Sequence, residues 1–301
     1  MGEVYNLAIR RGTLTYEDRF KINDHIVQTY IMLKRLPWPP HLERVPEIAA
    51  LITAESGLCL KDSTYEAGRV ADVLMFGALE VLKDDGQTFS CDITPHGRQR
   101  KVYTQRDPLL GVITAITPFN HPMNQVAHKV VPSVATNNRM VLKPSEKVPL
   151  SALLFADILY EAGLPPEMLS VVTGDPREIA DELLTNPHVD LITFTGSVAT
   201  GSRIMQAAGR NLTRVNLELG GKAPAIVLAD ADLDLASTAI TASRVINTGQ
   251  VCNCAERIYV QRAVADEFIT KLTAKMASAR ITCACWKQPP ACSSPAATSC
   301  A

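Results

Sequence analysis

The chain has 301 residues, 47% apolar and 20% charged, with a formal net charge of −1. This composition suits one large α/β domain or two smaller ones and argues against disorder over most of the length. A near-zero charge without any basic block gives no electrostatic footprint for nucleic acid or a membrane surface, so neither is expected as a partner.

Met1-Gly2-Glu3-Val4-Tyr5-Asn6 has no basic segment followed by an apolar one, and no run of about 18 apolar residues occurs anywhere. The expected location is the cytoplasm. Asn6 also occupies the place where a myristoylation signal needs Ser or Thr. Residues 15–85 read as largely helical: Ile22, Ile26, Tyr30 and Leu33 form one apolar face, and Ile48, Leu51 and Ile52 another. Pro37-Trp38-Pro39-Pro40 interrupts them as a loop.

From Leu109 onward, short β-branched runs at 111–116, 140–142, 169–172 and 191–194 alternate with helical stretches. Pro149 and Gly163 bracket a helix over 150–162. Such a βαβ series predicts a doubly wound parallel sheet, whose ligands sit beyond the carboxyl ends of the strands. A further unit follows, with strands at 225–228 and 257–260 around a helix over 233–247. Asn211-Leu212-Thr213 matches a glycosylation sequon but reads as a surface turn between helix and strand. The tail changes character: Cys283, Cys285, Cys292 and Cys300 lie in a Pro/Ser/Ala-rich stretch with no period. Its irregular spacing and lack of His argue against a metal tract. Residues 281–301 read as a shifted reading frame or a cloning scar.

The motifs fall at strand ends. Phe194-Thr195-Gly196-Ser197 opens a helix whose free N–H groups and positive end can receive a pyrophosphate, the alternative being a plain capped turn. Lys143 and Glu146 follow a strand where ribose hydroxyls would lie, or else they form a solvated loop ion pair. Asn120, after Pro118-Phe119, is either a donor toward a developing oxyanion or a helix cap. Glu218 precedes Gly220-Gly221, and Cys252 follows Gly249-Gln250-Val251; together they supply a carboxylate base and a thiol nucleophile. Cys254, two residues on, is a conceivable nucleophile or an inert buried thiol like Cys59 and Cys91.

In order and near-spacing, Pro118-Phe119-Asn120, Lys143-Pro144-Ser145-Glu146, Phe194-Thr195-Gly196-Ser197, Leu217-Glu218-Leu219-Gly220-Gly221 and the Cys252 segment resemble the aldehyde dehydrogenase superfamily, from about Leu51 to about Ala279. The resemblance implies N-terminal helices with a Rossmann-like NAD-binding domain over 1–219 and the start of an α/β catalytic domain over 220–280. It implies that Cys252 attacks an aldehyde, that a thioester forms, and that Glu218 activates water to release an acid. Asn120 and the Cys252 backbone N–H would hold the oxyanion. Phe194, Gly196 and Ser197 would contact the cofactor phosphates, and Lys143, Ser145 and Glu146 its adenosine ribose. A carboxylate near the 2′ position favours NAD, with NADP the alternative.

The implied substrate is a short polar or anionic aldehyde held by His121 and Arg69. Residues 113–174 resemble phosphonoacetaldehyde dehydrogenases, whereas residues 217–261 resemble lactaldehyde and glycolaldehyde dehydrogenases, and Val251 stands where the former tend to carry Arg. The family's Glu-x-Phe-Gly-Pro segment and oligomerisation strand have no counterpart. The chain therefore reads as about two-thirds of a member, clipped at both ends. A homo-oligomer is expected of the full-length family rather than of this chain, and an inactive nucleotide-binding remnant is the alternative reading.

Overall fold

The computed structural model describes residues 45–83, 86–104, 108–109 and 111–279. The expected helical face at Ile22–Leu33, the Pro37–Pro40 loop and the 281–301 tail lie outside them. Two helices come first, α1 (Val45–Ser56) and α2 (Leu60–Glu80). One face of each helix turns inward, so that Ile52, Val70 and Leu74, with Leu58 between the helices, enter the largest hydrophobic cluster and Ile48 packs against it, whereas Met75, Phe76 and Leu79 of α2 stay exposed. An antiparallel hairpin, β1 (Gln87–Ser90) with β2 (Lys101–Thr104), follows, and all its residues are exposed. No alternation of apolar and polar residues announces these two short strands, and none was expected from the sequence.

The centre is a five-stranded parallel sheet made of β3 (Val112–Ile116), β4 (Arg139–Lys143), β5 (Leu169–Val171), β6 (Val189–Gly196) and β7 (Arg214–Leu219). Its order is β5-β4-β3-β6-β7. Helices α3 (Asn124–Ala135), α4 (Leu150–Glu161), α5 (Pro176–Thr185) and α6 (Val198–Ala208) link successive strands. This is the doubly wound arrangement expected. The order reverses between β3 and β6, the switch point beyond which such sheets hold ligands.

Alternation along the strands sorts the two faces. Ile113, Ala115, Met140 and Leu142 join α2, α3 and α4 in the larger cluster; Ile192 and Phe194 join Ile204 and Ala208 of α6 in a smaller one, flanked by Ile116, Leu217 and Leu219. Gly163 ends the α4 turn at φ +100, the left-handed conformation that glycine adopts without steric penalty.

Beyond β7, β8 (Ala223–Val227) and β9 (Ala255–Val260) form a separate parallel pair joined by α7 (Leu233–Val245), with α8 (Ala265–Ser278) packed on α7. Helix α7 stops two residues short of the expected Asn247, because Asn247 and Thr248 turn to φ +44 and +53 and cannot continue it. Asp232 caps its start through bonds to the N–H groups of Asp234 and Leu235.

Candidate active site

Asn120 lies in the loop from β3 to α3. Its Nδ2 donates to the Gln250 carbonyl at 2.7 Å, and the Asn247 Nδ2 donates back to the Asn120 carbonyl at 2.9 Å. The end of β3 is thereby tied to the loop that carries Cys252, across 127 and 130 positions of sequence. Asn120 does not cap α3. That task falls to Glu66 on α2, whose Oε1 accepts from the N–H groups of Met123 and Asn124 at 2.9 and 3.0 Å. Its Oε2 lies 3.2 Å from His121 Nδ1. Only 2% of Glu66 is exposed, so a buried charge is compensated by a helix N-terminus and an imidazole.

The loop that carries Cys252 turns sharply. Asn247, Thr248 and Gly249 all have positive φ, and a Cβ on Gly249 would lie 2.6 Å from Arg244 Nη1. Arg244 Nη1 donates to Cys254 Sγ at 3.1 Å, and Cys254 Sγ donates to the Gly249 carbonyl at 3.4 Å. Cys254 is 4% exposed and faces inward, whereas Cys252 is open to solvent. The reading of Cys254 as a buried thiol fits this; Cys59 and Cys91 are half-buried, not buried, because each sits at the margin of its element.

Glu218, exposed on β7, is paired in register with Thr195, so it lies on the same sheet face as Thr195 and Thr193. On that face Lys129 of α3 donates to Thr193 Oγ1 at 2.9 Å. Burial lowers the Lys129 ammonium to about 8, against the opposing pull of the Glu218 carboxylate. No hydrogen bond joins Glu218 to Cys252 among the described residues. Lys129 was not singled out from the sequence, although a lone lysine within Val126-Ala127-His128-Lys129-Val130-Val131, on the core-facing stripe, was a readable signal. Glu66, between Ser63 and Val70 on the buried face of α2, was another.

At the neighbouring strand ends, Lys143 is 5% exposed and its Nζ contacts the Pro144 carbonyl at 3.1 Å and Glu146 Oε2 at 3.2 Å. The Glu146 carboxyl is held below its ordinary range by its own backbone N–H and then by Lys143. Ser145 is buried and accepts from the Lys147 N–H. Phe194 and Gly196 are the last residues of β6 rather than the turn after it. Ser197 caps α6 by accepting from the Thr200 N–H at 3.2 Å. Gly196 lies flat on the Phe194 ring, where a Cβ would come within 2.4 Å of Cζ. A bare strand end and a helix N-terminus at the switch point, with a lysine–carboxylate pair at the end of β4 beside it, fit a dinucleotide's pyrophosphate and ribose.

His121 is half-buried and engaged by Glu66, while Arg69 is exposed on α2. The field of Arg69 reaches His128, which burial, then Arg69, then Lys129 push below its ordinary range. Thus Asn120 and the Cys252 loop are joined directly, Lys129 of α3 lies against the sheet face that carries Thr193 and Glu218, and among the described residues Arg69 bonds to neither group.

The family model described as Aldehyde dehydrogenase family matches residues 41–288, and that of an HD domain matches residues 1–54. The lactaldehyde dehydrogenase of Escherichia coli (strain K12) is 44% identical over 230 residues, 76% of this chain and 47% of that protein. Among solved structures, Escherichia coli lactaldehyde dehydrogenase superposes with a TM-score of 0.76 at 39% identity, covering 86% of this chain and 52% of that one. An NADP-dependent glyceraldehyde-3-phosphate dehydrogenase from Bacillus halodurans C-125, complexed with NADP, gives 0.75 at 36%, covering 85% and 52%. The chain spans about half the length of these relatives, less than the two-thirds expected from its motifs. No described helix is long and apolar enough to cross a membrane.

Proposed function

Because the chain belongs to the aldehyde dehydrogenase family, we propose that its residues perform the NAD(P)-dependent oxidation of a short polar aldehyde to the acid, with Cys252 as nucleophile. The observation that carries this reading is the direct bond between Asn120 and the Cys252 loop, which brings an amide donor to the only exposed thiol of the pair Cys252/Cys254.

The Cys252 thiolate adds to the aldehyde carbonyl, forming a C–S bond and a tetrahedral oxyanion. Asn120 Nδ2 retains a second N–H beyond the one spent on Gln250, and the Cys252 N–H donates to no described acceptor. Both are available to the oxyanion. A nicotinamide held by Phe194, Gly196, Ser197 and the Lys143–Glu146 pair would supply the acceptor for the hydride that the adduct's carbon releases as the Cys252 thioester forms. Glu218 then takes a proton from water, whose oxygen attacks the thioester and frees the acid and the thiolate. Lys143, Ser145 and Glu146 serve the adenosine ribose, with Glu146 favouring NAD over NADP by repelling a 2′-phosphate; Phe194, Gly196 and Ser197 serve the pyrophosphate. His121 and Arg69 face the substrate. Residues 1–219 make up the dinucleotide-binding unit, and 220–280 begin the catalytic one.

The test is NADH formation by the purified chain with glycolaldehyde, lactaldehyde and phosphonoacetaldehyde. Turnover that disappears in Cys252→Ala supports the reading. A folded chain that binds NAD yet turns over none of the three would favour a nucleotide-binding remnant, a reading that rests on the half-length match to relatives.

A further inference from the structure

We infer that Asn247 is a positioning residue, which with the Gln250 carbonyl sets the orientation of the Asn120 amide relative to Cys252. This inference rests on the reading of Cys252 as nucleophile and deepens it. Three costly features converge on one clasp. Asn247 and the β-branched Thr248 sit at φ +44 and +53, a region such residues seldom occupy. The Asn120 Oδ1 is buried and meets no hydrogen-bond partner. Strain and an orphaned acceptor at the same place call for a reason beyond packing.

The geometry supplies one. Asn247 Nδ2 grips the Asn120 carbonyl at 2.9 Å, and the Gln250 carbonyl, three residues further on, grips the Asn120 Nδ2 at 2.7 Å. A carbonyl facing the amide accepts only from its nitrogen, so the amide cannot flip without setting oxygen against oxygen. The orientation that leaves Oδ1 orphaned is the one that turns the N–H groups toward the Cys252 loop. The loop is closed on itself by the Gln250 N–H on the Asn247 carbonyl at 3.0 Å and by Gln250 Nε2 on Thr248 Oγ1 at 2.9 Å. Asn247 therefore transmits the position of the loop to Asn120 as one unit. Asn is a fitting residue there, since it enters the left-handed region more readily than other side chains and brings an amide donor.

The experiment uses Asn247→Gly, which keeps left-handed backbone freedom and deletes only the side-chain donor. Acylation of Cys252 by p-nitrophenyl acetate forms a thioester, releases p-nitrophenolate, develops an oxyanion and needs no dinucleotide. Alkylation by iodoacetamide displaces iodide and needs no oxyanion donor. The expected result for Asn247→Gly is a burst of acylation slowed about 10- to 100-fold with alkylation within about 2-fold of the unsubstituted chain. Asn120→Ala should slow acylation comparably, and the double variant should be no slower than the worse single one. An Asn247→Gly burst within about 2-fold of the unsubstituted chain, or acylation and alkylation falling together, would overturn the positioning role. Absence of any Cys252-dependent burst in the unsubstituted chain would sink the nucleophile reading itself, and this inference with it.

Discussion

Glu66 offers a sharp test of how the β3–α3 junction is held. Its carboxylate accepts from two helix N–H groups at 2.9 and 3.0 Å and meets His121 Nδ1 at 3.2 Å while almost fully buried. Glu66→Ala deletes all three contacts and leaves the Met123 N–H without water access, the residue being buried. Each hydrogen bond to a charged acceptor contributes about 1.5–3 kcal/mol, and the bonds are not additive because they share one acceptor group. Desolvating the lone carboxylate already costs part of that gain. The net loss should be about 3–4 kcal/mol, which for a domain of this size lowers Tm by roughly 10 °C. Glu66→Gln keeps the shape and one acceptor oxygen, and should lose about half as much. Thermal unfolding followed by circular dichroism measures both. A Tm drop below about 2 °C for Glu66→Ala would refute the claim that this carboxylate anchors the N-terminus of α3.

Three further outcomes are expected. The Lys129 ammonium is lowered to about 8 from 10.5, so the unfolded chain binds more protons than the folded one between those values, and stability rises with pH across that window. The penalty is fully present below about pH 8 and at most about 3 kcal/mol; Lys129→Met should abolish the rise, as denaturant midpoints at pH 7 and pH 10 would show. Gly201→Ala places a Cβ 2.6 Å from Leu219 Cδ2, where α6 meets β7, and should cost about 1–3 kcal/mol in urea unfolding; a neutral result would mean that Leu219 yields freely. Glu146→Gln should bring NADP affinity about 10-fold closer to that of NAD in calorimetric titration, and an unchanged ratio would remove Glu146 from the ribose site.

Local signals in the sequence determined much of this protein. Short, mostly apolar runs between amphipathic stretches specified β3 to β6, because burial on both faces of a parallel sheet favours apolar residues along most of each strand, as at Ile113, Ala115, Leu142 and Ile192. Pro149 and Gly163 marked α4, and the motifs singled out Asn120, Lys143, Ser197 and Cys252 as candidates for chemistry. The β1–β2 hairpin left no such trace, since exposed four-residue strands need no pattern. Only the tertiary structure decided which groups meet. The carboxylate of Glu66 capping α3, the Asn247–Asn120–Gln250 clasp and the Arg244 contact with Cys254 all depend on side chains brought together from different elements or around a left-handed turn. Hydrogen bonds are short-ranged and directional, so a residue's partner is set by how helices and strands pack, and periodicity along the chain cannot specify it. The same holds for Lys129: its sequence marks a misplaced charge, but the depth that lowers its ammonium and the facing Glu218 exist only once α3 lies on the sheet.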